Sequence, residues 1–527
     1  MEEKISIESL KVVMRSEEEY ALIDVREPME YDRKHVFRAN NLQRSLLEFR
    51  ISELVPLRHT KIILCDDNGQ RAFLSAETLE KNGFSNVACI DGGINAWEKA
   101  GNIVVKGTNV HSKAFGEKVA KDYKVPQITP EDLKAWREKG EDVIVIEVRP
   151  HGEVERTGSI PGAINIPGVE LPIRVFDYSA SHKRIVVTCA GRTRGIMAAQ
   201  TLRLMGIRDV YDLKGGTMAW ILAGLKLDKE ILRGSAPSEK SIRKAESFAK
   251  KLAMEGNIHL LTCEGLRALL DKAQKETVYL LDVRSVEEYS AGHLPNSIPA
   301  PGGQAIQIAD SFVAVRNGNI VFISEENARA IVTAFWYKQM GYPKVFVLDG
   351  GVNAWSGAGM KIEVERRRLA PLGIEEATKR VRKIGAANLK KKLEENKNIA
   401  VVDVDLSRYF EQGHVPGAHW ISRGWLEFRI KGLIPNEKAP VVVTCQNSLN
   451  STLAGKTLMA MGYTDISVLE GGTAAWKSAG FFLEKGLTGI EGKPDDIWIP
   501  PYERGRAEML EYLDWEEKLI EMGGKLK

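Results

Sequence analysis

A Gly-Gly-x-x-x-Trp motif occurs four times in this chain, as DGGINAW (91–97), KGGTMAW (214–220), DGGVNAW (349–355) and EGGTAAW (470–476). The tryptophans Trp97, Trp220, Trp355 and Trp476 are separated by 123, 135 and 121 residues. One such motif would constrain little. Four at domain-sized spacing mark a tandem repeat, and repeats decide the architecture before any local signal does. The 527 residues leave room for four units of about 100 residues with connectors.

Other features keep step with the tryptophans. Gly83, Gly206, Gly341 and Gly462 each lie 14 residues before one. Asp24, Glu147, Asp282 and Asp403 each lie 73 residues before one, at the end of an apolar run: ALIDVR, VIVIEVR, YLLDVR and AVVDVD. A second apolar run follows in each unit: KIIL (61–64), RIVVT (184–188), NIVFI (319–323) and PVVVT (440–444). Short runs rich in Val and Ile predict buried parallel strands. In MAAQTLRLMG (197–206), Met197, Ala198, Leu202 and Met205 make one helical face, and Gly206 is its stop signal. Strand, loop, helix, strand at this spacing predicts α/β domains, each a small parallel sheet flanked by helices. Ligands of such sheets bind at the carboxyl ends of the strands.

The domains are expected at 1–108, 126–230, 258–365 and 384–485, with a tail at 486–527. The connector 234–257 is expected to be largely helical. Trp498, Tyr502 and Trp515 predict that the tail packs onto a domain. The balance of 74 basic and 71 acidic residues gives no pull toward nucleic acid or membrane. An acidic start, MEEKISIESL, and no bilayer-length apolar run make the cytoplasm the expected location. The five cysteines, Cys65, Cys89, Cys189, Cys263 and Cys445, form no CxxC pair, so neither structural zinc nor a disulfide framework is expected.

The DVR strand ends, segments such as EQGHVPGAHWI (411–421) and the closing GGxxxW resemble the rhodanese family. The likeness covers nearly all the chain except connectors and tail, and the four-fold tandem is similar to bacterial multidomain rhodanese-related sulfurtransferases. It implies an active cysteine in the loop between the second apolar run and the following helix. That loop reads TCAGRTRG (188–195) in unit two, LCDDNGQR (64–71) in unit one and TCQNSLNS (444–451) in unit four. In unit three, ISEENAR (323–329), Ser324 stands in the cysteine's place.

A cysteine at a strand tip before a helix faces unpaired backbone N–H groups, which favour the nucleophilic thiolate and can cradle a persulfide. Cys189 is therefore the expected catalytic residue. Gly191, Arg192, Thr193, Arg194 and Gly195 are the expected donor-binding residues, with Arg194 as the main clamp. Glu147 and Arg149 are expected to form a charge pair that orients the loop. Cys65 with Arg71, in a loop counted as one residue longer, and Cys445 are secondary candidates. Asp66 and Asp67 oppose a thiolate at Cys65, and Cys445 has no charged residue in its loop. Cys89 reads as core and Cys263 as a helix-start residue after a Thr262 N-cap. His35, His293 and His414 recur regardless of the cysteine, which predicts a structural role.

The resemblance implies that sulfur passes from a donor such as thiosulfate to a thiol or cyanide acceptor through a Cys189 persulfide. No metal or organic cofactor is needed, and a protein persulfide acceptor is a further partner. Two other readings stay open. One is a persulfide carrier or non-catalytic rhodanese scaffold. The other is a rhodanese-related phosphatase, from the C-x5-R spacing of Cys65 and Arg71.

Overall fold

In a computed structural model that describes residues 3–179, 184–365, 369–395 and 398–522, every paired apolar run is a strand. The second domain shows the pattern. Its strands Val143–Glu147 and Arg184–Thr188 lie side by side at the centre of a parallel sheet. Val210–Leu213 and Gln127–Ile128 extend the sheet on one side, Ile164–Asn165 and Leu232–Arg233 on the other. The central strands are buried on both faces, as expected of a parallel sheet between helices.

The third domain repeats the order with His259–Leu261, Val345–Leu348, Asn319–Ile323, Val278–Asp282 and Ile298–Pro299. The fourth does so with Arg382–Ile384, Ile466–Leu469, Val441–Thr444, Ala400–Asp403 and His419–Trp420. In the first, Glu3–Ile5, Val87–Ile90, Lys61–Cys65 and Tyr20–Asp24 are joined by Asn40–Asn41. The motif tryptophans are buried and donate Nε1–H to backbone carbonyls, Trp220 to Lys226 at 3.0 Å for example. Each motif's two glycines have positive φ, and the second lies against the cysteine-loop backbone. A methyl group at Gly93 would sit 2.5 Å from the Asp66 carbonyl oxygen.

The chain divides into two compact units: residues 1–16, 20–107 and 368–499, and residues 17–19, 108–367 and 500–527. The first holds the outer domains. They meet through two equivalent ion pairs, Arg44–Glu427 and Arg423–Glu48, with Ser422 donating to the buried Glu27 at 2.6 Å. Trp498 donates to Asp32 at 3.0 Å in this unit. The second unit holds the inner domains, where Trp336 donates to Thr201 at 2.9 Å. The connector helix Glu239–Glu255 packs against Asn327–Gln339 and Leu171–Ser179. The tail helix Arg506–Met522 packs against Val110–Asp122 in the same unit.

Candidate active site

Strand Arg184–Thr188 delivers Cys189 to the carboxyl edge of the sheet, and helix Thr193–Leu204 begins four residues later. The Gly195 N–H, in the first turn of that helix, lies near the Cys189 sulfur and favours its ionised form. The same contact recurs at the other tips. Ser451 N–H reaches Cys445 Sγ at 3.4 Å, and Ala330 N–H reaches Ser324 Oγ at 3.2 Å. The N–H nest expected from the sequence is therefore a property of the repeat.

Sheet register corrects the expectation for Cys65. Cys65 is the last residue of its strand and pairs with Asp24, as Thr188 pairs with Glu147 and Thr444 with Asp403. The residue at the tip of unit one is Asp66. Its carbonyl accepts from Ile94 N–H, as that of Cys189 does from Thr217. All four loops therefore have one length, and the extra residue counted from Cys65 is a strand residue. The Asp66 carboxylate accepts backbone N–H groups from Gly69 and, at 2.8 Å, from Arg71. An internal anion thus fills the nest, and Cys65 lies fully buried beside it with its thiol pushed well up by burial. The C-x5-R spacing falls with this register, and so does the phosphatase reading built on it.

The arginines are engaged by acids. Arg194 forms a bidentate pair with Glu153 at 2.6 and 2.9 Å. The same pair, 41 residues apart, joins Arg71 to Glu30 and Arg329 to Glu288. It is present in unit three, which has no cysteine at its tip, and so behaves as a strut between the loop helix and the helix after the first strand. In unit four, Asn450 and Tyr409 stand at these positions. Arg192 has no counterpart in the other loops. Its Nε and Nη2 donate to Glu117 at 2.6 and 2.7 Å, and its Nη1 to Glu517 of the tail helix at 3.0 Å.

That tail helix covers the loop. Thr193 Oγ1 donates to Glu516 at 2.8 Å. The Gly191 Cα faces Glu516, the Tyr512 ring and the Met218 methyl group. Cys189 is left 2% exposed, and burial pushes its thiol up to about 12 against the pull of Arg194. In this closed arrangement neither guanidinium is open to a donor.

Glu147 accepts from Arg149 at 2.8 Å and from Ser159 at 2.8 Å, all three buried, so the pair orients the strand end. Ser159 takes the place of the histidines. His35, His293 and His414 set Nδ1 2.8–3.0 Å from the carbonyl four residues earlier and stack on Tyr31, Tyr289 and Phe410. Cys89 is a buried strand residue, and Cys263 starts a helix capped by Thr262. Cys445 accepts from Ser451 at its tip, with its thiol pushed up to about 11 by burial.

Sequence reasoning missed the acids Glu117, Glu153, Asp212, Glu516 and Glu517. The Glu153–Arg194 pair had a signal, the constant 41-residue separation in three units. Glu117 and Glu517 come from a connector and the tail, outside the repeat, and had none.

The rhodanese-like domain model matches residues 8–100, 129–223, 263–358 and 385–479. The chain therefore belongs to the rhodanese family, and its activity class is that of a sulfurtransferase working through an active-site cysteine. A thiosulfate sulfurtransferase from Pseudomonas aeruginosa, known by crystal structure, is 34% identical with a TM-score of 0.91, covering 99% of this chain and 98% of that one. A sulfurtransferase of Allochromatium vinosum is 30% identical over 103 residues, 20% of this chain and 94% of that protein. An HTH-type transcriptional regulator of Mycobacterium tuberculosis is 40% identical over 104 residues, 19% of this chain, and the match spans 44% of the regulator. Among the described residues, no helix is long and apolar enough to cross a membrane.

Proposed function

We propose that this chain moves a sulfane sulfur from thiosulfate to a thiophilic acceptor through a persulfide on Cys189. One observation carries the choice of cysteine. Cys189 is at a strand tip, at the start of a helix whose Gly195 N–H favours its ionised form, and its loop carries Arg192, which has no counterpart in the other units. The first unit has Asp66 at that place and the third has Ser324. An alkoxide is too basic for the nest to ionise, and oxygen cannot carry the sulfane sulfur. Similarity to the Pseudomonas aeruginosa thiosulfate sulfurtransferase supports thiosulfate as donor.

The cycle has two halves. The Cys189 thiolate attacks the outer sulfur of thiosulfate, and the S–S electron pair leaves with sulfite. A second nucleophile, cyanide or a thiolate on a small molecule or protein, then takes the outer persulfide sulfur. The backbone nest stabilises the anionic sulfur in both halves. Thr193, Gly191 and Gly195 shape the donor's approach. Arg192 captures the donor once Glu517 yields, and Arg194 acts through its strut on the loop. The Cys445 tip lacks a loop cation and serves at most as a secondary sulfur site.

Intact-protein mass spectrometry after thiosulfate treatment tests the reading. One added sulfur, mapped to the Cys189 peptide and absent in Cys189→Ser, is expected. Full sulfurtransferase activity in Cys189→Ser would overturn it.

A further inference from the structure

The second domain buries one acid that the sulfur-transfer scheme leaves without a task. Asp212 is the third residue of strand Val210–Leu213 and fully buried. The matching third residues in the other units are Cys89, Val347 and Val468. Gln127 Nε2 donates to its Oδ2 at 2.7 Å, while Oδ1 has no hydrogen-bond partner among the described residues. Oδ1 is aimed at the cysteine nest. A methyl group built on Gly195 would collide with Oδ1 and lie 3.8 Å from Cys189 Sγ. Gly195 is itself peculiar to this unit, since Ala72, Ala330 and Ser451 stand there elsewhere. The acid and the missing side chain that makes room for it thus occur together, only beside Cys189.

Resting on the Cys189 reading, we propose that Asp212 takes the Cys189 thiol proton and holds it through the persulfide half of the cycle. The S–H bond breaks and an O–H bond forms at Oδ1. The thiolate pair then forms the S–S bond to the outer sulfur of thiosulfate, and the old S–S pair departs with sulfite. When the acceptor removes that sulfur, the Cys189 thiolate takes its proton back from Asp212. Thiol with carboxylate, and persulfide anion with carboxylic acid, each carry one negative charge. Cys189 and Asp212 therefore never carry two negative charges between them, which burial would oppose strongly.

Burial holds the Asp212 carboxyl well above the usual carboxylate range, toward the thiol it must match, whereas Arg192 and the Gln127 amide pull it down. Glu117 and Glu516 face the same pocket and raise it further. The near-isosteric Asp212→Asn keeps a polar group beneath Gly195 and removes only the proton acceptor.

The test is the rate of the sulfite burst in a single turnover of the full chain with thiosulfate, from pH 6 to 9. Wild type should show a broad pH-independent span. Asp212→Asn should be slower by at least about tenfold at pH 7 and recover about tenfold per pH unit, as hydroxide takes over. Gln127→Leu keeps the carboxyl but removes a bond to its ionised form, so the acid limb should move to higher pH. It serves if Asp212→Asn melts early. An unchanged rate, or a loss independent of pH, would overturn the role of Asp212. Persulfide in Cys189→Ser would instead overturn the function reading.

Discussion

Replacing Arg194 by alanine separates a clamp from a strut. Its side chain is 6% exposed and that of Glu153 16%, so the truncation leaves a mostly buried carboxylate without its bidentate partner. Breaking a buried pair from one side costs about 3–5 kcal/mol. Arg149 remains 3.7 Å from Glu153 and softens the loss, which argues for the lower end, about 3 kcal/mol. At about 2–4 °C per kcal/mol for a body of this size, the transition of the unit that holds the inner domains should fall by about 6–12 °C in calorimetry. Arg329→Ala should lower the same transition, although its domain has no tip cysteine. Steady-state kinetics with thiosulfate then completes the test: below the lowered melting point, KM should stay close to wild type. A melting point within about 1 °C of wild type together with a KM raised about tenfold or more would refute the strut and restore Arg194 as the donor clamp.

The tail helix should act as a cover, with Leu513 packed on Gly215 of the motif, so Glu516→Gln combined with Leu513→Asp should speed iodoacetamide labelling of Cys189 several-fold, while labelling of Cys445 stays as it is. Equal labelling of Cys189 before and after would show that the helix does not limit access. Asp66→Ala empties the nest of the first domain but should leave Cys65 unlabelled and unpersulfidated, because that thiol faces the core and not the tip. Glu27 is pushed up to about 8 by burial between the outer domains, against an ordinary value of 4.5. The folded state therefore holds a proton that the unfolded state has lost between those limits, and stability falls as pH rises from about 4.5 to 8. Glu27→Gln should flatten that slope in melting curves of the full chain, and an unchanged slope would place the effect on other buried acids such as Asp403.

Much of the fold was legible because the repeat writes it four times. Val- and Ile-rich runs that recur at one spacing read as buried strands, and glycines with positive φ before each tryptophan fix the turn onto the cysteine loop. The position of Cys189 followed from that frame, since a loop between strand and helix lies at the carboxyl edge of a parallel sheet. The tip of the first unit did not follow. Cys65 and Asp66 are adjacent in sequence, and only hydrogen-bond register decides which ends the strand and which enters the nest. A one-residue step turns a side chain to the opposite face, so a cysteine that aligns by eye becomes core.

By itself, the sequence determined the four domains, the parallel sheets and the residue types around Cys189, because those depend on local patterning and on spacing that recurs. Tertiary structure alone decided the charge state of the site. Arg192 and Arg194 read as open cations along the chain, yet Glu117 lies 75 residues before Arg192 and Glu517 lies 325 after it. Asp212 is likewise brought beneath Gly195 by a neighbouring strand. A guanidinium's field depends on which carboxylates share its low-dielectric surroundings, and that is a property of packing, not of sequence order.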